Sequence, residues 1–331
     1  MVTLLEGTLE ETERSNVVRL LVFVVKRLAG MIAILLAVCT VTFLLVTAAP
    51  GDPIRANLAL HASATTIRQL DHQYGLDLPL WRRYLTYLGG LLHGDLGLSL
   101  SEPGTRVADL LANGLPVSLT LGGLALLVAL VVGAPLGVLA AVRQNRLFSD
   151  HVNMAVMLAL YAVPALALAP ILVDIFSIQL GWLPAGQWGD DGWLGIKEGV
   201  LPITVYAAGL AGFFARSVRS FMLEVLRQNY IRTARAKGLA QFRVVYVHAV
   251  KNVLAPLASV LGPTIAYLVV GAFIVENEFS INGIGYITVQ ATEGGDLTVT
   301  EATTLLLAAT VVVVNTLTDI FYAAVDPRVR L

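Results

Sequence analysis

Charge is what this 331-residue chain has least of: 14% of its residues are Asp, Glu, Lys or Arg, whereas 56% are hydrophobic. A soluble domain carries charge on about a quarter of its residues. This chain therefore lacks the polar surface to face water on every side, and its mean hydropathy is +0.76. Its one cysteine, Cys39, excludes an internal disulfide framework and a cysteine cluster for zinc or iron–sulfur. Inside an apolar run it reads as a small packing residue. Histidines at ligand spacing are also missing; His72 and His93 stand alone and read as surface residues. The Gly-x4-Gly-Lys-Ser/Thr loop that cradles nucleotide phosphates is absent too. The net charge of −1 is uninformative as a total, so the placing of the charges matters more.

What is there is long apolar sequence. A bilayer span takes about 20 apolar residues. Uncharged runs cover 28–51, 110–142, 152–173, 199–215, 252–275 and 302–318, giving six candidate spans. The second is too long for one crossing, so a loop or interfacial piece is expected before Pro116. The third carries Pro164 and Pro170, where kinks are expected. The leader before the first run is long and the apolar run itself far exceeds the usual core of a cleaved signal peptide, so an uncleaved first span is expected. Val17–Leu28 has apolar positions at helical spacing and is expected to lie along the inner surface. With the N-terminus inside, sixteen of the 22 Lys and Arg fall in inner segments, eight of them between Arg216 and Lys251. That asymmetry places both termini in the cytoplasm. The expected division is a cytoplasmic segment 1–27, a first span 28–49 and an outer cap 50–112. A core of five spans follows over 113–325, with a cytoplasmic loop 222–252, and then a cytoplasmic end 326–331.

The cap is expected to hold helices at 65–74 and 80–92. Gly181-Trp182-Leu183-Pro184, with Trp188 and Trp193, reads as an interfacial aromatic belt. Gly122, Gly123, Gly133 and Gly137 read as points of close helix approach. The stretch 279–285 reads as a tight turn re-entering the outer mouth. Three polar residues in or near spans are candidates for a substrate path: Asp174, and Asn315 with Asp319, which stand four apart on one helix face. For Asp174, a solvated or paired carboxylate is the other open reading.

The chain is organised around its basic loop. Asn229 reads as an N-cap, Tyr230–Lys237 as a helix of about two turns, and Gly238 as its left-handed end. A helix this short is not stable alone, so docking must hold it. Tyr230 and Ile231 offer an apolar edge, Ala234 permits close approach, and Arg232, Arg235 and Lys237 suit acidic groups or lipid phosphates. A second helix is expected over 241–252. Composition alone leaves the plainer reading open, in which the loop only fixes topology.

YIRTARAKGL, with HAVKN after it, resembles the loop of the inner-membrane subunits of ABC importers. More narrowly, the chain resembles the first permease subunit of the oligopeptide/dipeptide/nickel class. The resemblance extends through PGDP at 50–53, the stretch 75–100, LGWLPAG at 180–186, FIVENEFSINGIG at 273–285 and VDPR at 325–328. Where the wider pattern has Glu-Ala-Ala, this chain has Arg232, Thr233 and Ala234, with Gly238 in place.

The resemblance implies an all-α integral membrane protein with six transmembrane helices in the type I importer architecture, a small outer helical cap and a cytoplasmic coupling helix. It implies that Asn229, Tyr230, Ile231, Arg232, Thr233, Ala234, Arg235, Ala236, Lys237 and Gly238 couple the spans to an ATPase. The implied partners are a second permease subunit, two cytoplasmic ATPase subunits, an external binding protein and membrane lipids, with no nucleic acid. The chain itself would be non-catalytic and without cofactor, ATP and Mg²⁺ being bound by the partners. Its place would be the bacterial cytoplasmic membrane and its cargo peptides, with nickel, haem or another small solute as alternatives. An ion-driven secondary transporter is a further alternative, though no internal repeat of the kind such transporters use is seen.

Overall fold

In the computed structural model the described residues are 2–48, 72, 77–102, 104–144, 147–186 and 196–325. They form helices and turns, with no strand among them. Five helices are long and apolar enough to cross a membrane, and a bent pair makes up to six. The chain divides into two compact units, one of residues 1–103 and 295–331, the other of 104–294.

In the first unit, helix α1 runs unbroken from Val2 to Ala48. The inner-surface segment and the first span expected separately are thus one helix, since no Pro interrupts the apolar run. Helix α2, Leu80–Leu92, follows Pro79 and ends at His93 and Gly94, the latter at φ 74°. It packs on α1 through Thr40 and Tyr84, whose hydroxyls are 2.6 Å apart, and through the Phe43 ring. Leu297–Val325, the last helix among the described residues, lies along α1. Asp296 caps it by accepting the Val299 N–H. Its other oxygen accepts the Ser99 and Ser101 hydroxyls and the Leu100 and Ser101 N–H groups. One buried carboxylate therefore ties the segment 99–101 to the start of the last span. The expected helix at 65–74 lies, His72 apart, outside the described residues, as do PGDP, Trp188, Trp193 and Asp326-Pro327-Arg328.

The second unit is built on α3, Val107–Val142, packed along α6, Ile196–Leu226. Helix α3 does not begin after Pro116, as expected; Pro116 and Pro135 lie inside it. Packing holds the turns before Pro116. An added Cβ at Gly114 would meet Ile287 at 2.6 Å, and the Ser118 hydroxyl accepts the Ile284 N–H at 2.8 Å. The expected kink after α4, Leu147–Ala162, is instead a break of 96° before α5, Ala165–Val173. Pro164 has no N–H to give, and its ring disfavours helical backbone at Val163. Its carbonyl starts α5 by accepting the Ala167 and Leu168 N–H groups, both at 3.0 Å. A π-helical stretch, Asp174–Gln179, prolongs α5.

After α6 comes the short helix α7, Asn229–Ala236. A helical turn at Gln241–Arg243 then passes through a π-helical stretch, Val244–Ala249, into α8, Val250–Glu278. The second loop helix and the fifth span, expected as separate, are therefore one continuous rod. The outer stretch after α8 is not only a turn: it holds helix α9, Ile284–Glu293. Its apolar residues Ile284 and Ala291 are buried, which the mixed polar pattern of the segment hid. Numbered in sequence, the last helix, Leu297–Val325, is α10.

Candidate functional site

Helix α7 is short, basic and built with care at its far end. Gln228 takes the N-cap backbone position in place of Asn229, with no side-chain cap bond. Asn229 is the first helical residue, and its carbonyl accepts the Thr233 hydroxyl at 3.1 Å. At the other end Gly238 sits at φ 74°, a left-handed conformation that suits glycine. The Gly238 N–H bonds the Arg235 carbonyl at 3.0 Å, and the Leu239 N–H bonds the Ala234 carbonyl at 3.3 Å. This pair of bonds is the Schellman motif, which ends the helix and satisfies carbonyls it would otherwise leave open.

The helix is held by its own chain. Ile231 is fully buried and Ala234 nearly so. They pack with Val138 and Ala141 of α3, Val218 and Met222 of α6, and Val244, Val245 and Ala249 of the π-helical stretch. Burying an Ile side chain contributes about 2–3 kcal/mol, which a two-turn helix needs. Ile231 and Ala234 are therefore not an edge offered to a partner, as the sequence suggested. They seat the helix, and the opposite side is left open.

That open side carries Arg232, Thr233, Arg235, Ala236 and Lys237, with Tyr230 beside them, all exposed. No acidic residue occurs between Glu224 and Glu276, so the chain supplies no counter-charge along this stretch. The arrangement is a positive, hydrogen-bonding ridge on a rigid base. Phe242 and Tyr246 follow it in the chain, at the start of the next helical rod. Their rings lie 4.6 Å apart and are 70% and 53% exposed. Neither was singled out in the sequence, although their i, i+4 spacing at the start of a helical rod puts them on one face.

The path candidates separate. Asp174 opens the π-helical stretch of the second unit, exposed, and accepts the Gln179 amide at 2.7 Å. Asn315 and Asp319 share α10 in the first unit, where Asp319 pairs with Arg27 of α1 at 2.9 Å. A cavity of about 310 Å³ lies in the second unit beside the bend between α4 and α5. Tyr161, Tyr206, Phe213 and Gly271 are among its walls.

One residue of the outer segment was passed over in the sequence. Glu276, at the outer end of α8, is fully buried. Its carboxylate accepts the Gly285 and Tyr286 N–H groups at 2.7 and 3.3 Å. It thereby caps α9 from the preceding helix, satisfying N–H groups that a helix start leaves open. The two glycines of Ile281-Asn282-Gly283-Ile284-Gly285 are needed for space. A Cβ on Gly283 would land on that carboxylate, and one on Gly285 on the Phe273 backbone.

Residues 133–331 match the family model described as binding-protein-dependent transport system inner membrane component. Residues 20–121 match the model for the N-terminal part of such membrane components. Among similar proteins, the dipeptide transport system permease protein DppB of Bacillus subtilis (strain 168) is 35% identical over 93% of this chain and 98% of its own. The oligopeptide transport system permease protein OppB of Haemophilus influenzae is 35% identical over 94% of this chain and its own full length. The glutathione transport system permease protein GsiC of Escherichia coli K12 is 34% identical over 93% of this chain and 98% of its own. Among solved structures, one of inward-facing conformations of the MetNI methionine ABC transporter shares the fold. Its TM-score is 0.55 at 21% identity, covering 66% of this chain and 97% of that one.

Proposed function

This chain belongs to the family of binding-protein-dependent transport system inner membrane components, and from that premise we propose that α7 is the point at which an ATPase drives it and that peptides are its cargo. It is a multi-pass permease subunit of an ABC importer, and it is not itself an enzyme. The ATPase subunits bind ATP and Mg²⁺ and meet the outward face of α7 at Arg232, Arg235 and Lys237, with Tyr230 between ridge and base. A second permease completes the path, and an external binding protein delivers the cargo. Both termini and the basic loop face the cytoplasm, in keeping with the bias of Lys and Arg. The peptide reading is supported by relatives named for dipeptide, oligopeptide and glutathione transport.

The observation that carries the coupling role is the division of labour on α7. Its apolar side is fixed in the chain's own core, and its basic side is left uncovered. A push on that side is passed directly to the ends of α3 and α6, because Ile231 and Ala234 pack against both. This is helix-in-groove recognition with the helix presented ready-made.

Gly238 supplies the test. A Cβ there meets nothing within 4 Å, so substitution adds backbone strain without a clash. Gly238→Ala is expected to weaken ATP-driven uptake mildly. Gly238→Asp adds a negative charge to the basic ridge and is expected to abolish uptake while the chain still inserts. Normal uptake by Gly238→Asp would overturn the coupling role. Uptake of labelled dipeptides and oligopeptides by a deletion strain carrying this chain tests the cargo, with Ni²⁺ and haem as competing arms. Transport of either of these but of no peptide would replace the peptide reading.

A further inference from the structure

Helix α2 is amphipathic in a way that an aqueous cap does not explain. At about 100° per residue, Trp81, Leu85, Leu88 and Leu92 fall on one narrow stripe. Trp81 is 60% exposed, Leu85 58% and Leu92 87%. Tyr84 and Tyr87 lie on an adjacent face and meet α1. Arg82, Arg83 and Thr86 occupy the arc roughly opposite the stripe. The helix contains no acidic residue.

The depth of its contacts says what faces the stripe. Tyr84 bonds Thr40, and both tyrosines pack on Phe43, whose ring lies 5.2 and 5.8 Å from theirs. Thr40 and Phe43 are eight and five residues short of the end of α1 at Ala48. That places them about 12 and 8 Å back along a membrane-spanning helix. Tyr87 also lies beside Glu301, four residues inside α10, or about 6 Å from its start. Two spans of the same unit thus hold α2 beside them, back from the ends of their helices rather than beyond them. On α1, Val41, Leu44 and Leu45 are exposed as well.

We infer that α2 is an interfacial helix, lying in the outer leaflet with the Trp81 stripe in lipid and Arg82 toward the phosphates. Amphipathic helices with Trp and Leu on one face and Arg on the other bind membranes in this way, and tryptophan favours this depth. Arg82 lies over the Trp81 ring at 5.3 Å, which holds the cation at the rim of the apolar stripe. The tyrosine face keeps the helix against α1, so α2 forms a collar on the first span. The inference rests on the permease reading only in taking α1 as a span whose C-terminal end is outside.

The experiment is fluorescence of the assembled importer in vesicles, with Trp182, Trp188 and Trp193 replaced by Phe so that Trp81 is the sole tryptophan of this chain, and with tryptophan likewise removed from its partners. The expected result is loss of most Trp81 emission when the lipids are brominated on their acyl chains, with little loss to iodide in the water. Quenching by iodide but not by bromolipid would put α2 in an aqueous cap and overturn the inference. Protection from both would mean that a protein partner covers the stripe, which overturns it equally. Should that variant fail to assemble, a nitroxide at Leu85→Cys in a Cys39→Ala background reads the same depth. Collisions with oxygen should then exceed those with a water-soluble nickel complex, and the reverse order refutes the claim. Neither readout depends on the cargo, so failure of peptide uptake would leave this result standing.

Discussion

At Gly137 an added Cβ would lie 2.5 Å from the Ala215 carbonyl oxygen and 2.8 Å from the Val218 Cβ, with backbone on one side and a stiff branched side chain on the other. At Gly123, one of four glycines grouped together in the sequence, a Cβ would meet nothing within 4 Å. Identical substitutions at the two sites should therefore differ. Gly137→Ala is expected to cost about 1–3 kcal/mol through overpacking, and Gly123→Ala to be nearly silent. Melting of the detergent-solubilised importer checks the pair, and equal shifts would refute the packing argument. Arg27 and Asp319 call for a different test, since one pair joins α1 to α10. If the pair is structural, Asp319→Arg should lower the amount of assembled protein, and combining it with Arg27→Asp should restore it with unchanged KM for cargo. A KM that moves with Asp319→Asn, while assembly holds, would return Asp319 to the substrate path.

On helix α7 the buried and the exposed side can be tested apart. Ile231→Ala empties a fully buried site shared with α3 and α6 and is expected to cost about 2–5 kcal/mol. It should lower uptake while every charge on the ridge is intact. Arg232→Glu with Arg235→Glu should leave stability unchanged and uncouple ATP hydrolysis from uptake. Melting and ATPase activity, measured on the same samples, separate the two, and equal loss of stability in both would merge the roles. The extent of α7 and the place of Gly238 were legible because a breaker-free run followed by glycine is a local signal. Which side faces inward was not, because the Tyr230–Ile231 edge looks apolar from either direction. Only the far-off Val138, Met222 and Val245 decide that Ile231 turns in and Tyr230 out. Helix α9 and the turns before Pro116 were hidden for the same reason. The turns before Pro116 are held by contacts to a far-off segment, Gly114 against Ile287 and Ser118 with Ile284, and α9 by the Glu276 side chain, none of which local propensity reports.

Across the whole molecule the spans are unevenly covered. Half of the most apolar window of α6 is buried within the chain, against 17% for α1 and α10 and 22% for the rod that becomes α8. Span number and family were legible because the bilayer imposes a length and the motifs stand in order along the chain. The face of each span that meets lipid, path or second subunit depends on molecules the sequence does not contain. Side-chain chemistry still separates these faces. On α3 the exposed residues include Leu119, Leu127 and Val131, at home in lipid. On α8 an exposed stripe at four-residue spacing holds Ala255, Ser259, Pro263 and Tyr267, small or hydroxyl-bearing residues poorly matched to acyl chains. On the permease reading proposed above, that stripe is expected to face the path rather than lipid. With Cys39→Ala as background, Ser259→Cys and Tyr267→Cys in the assembled importer should react with a small water-soluble thiol reagent. Their rates should change when ATP and vanadate trap the ATPases, because the path then opens to the other side. Val131→Cys should stay unreactive in both states. Equal, state-independent rates at Ser259→Cys and Tyr267→Cys would place the stripe in lipid or in a static interface, and the path would have to run along another face of this subunit.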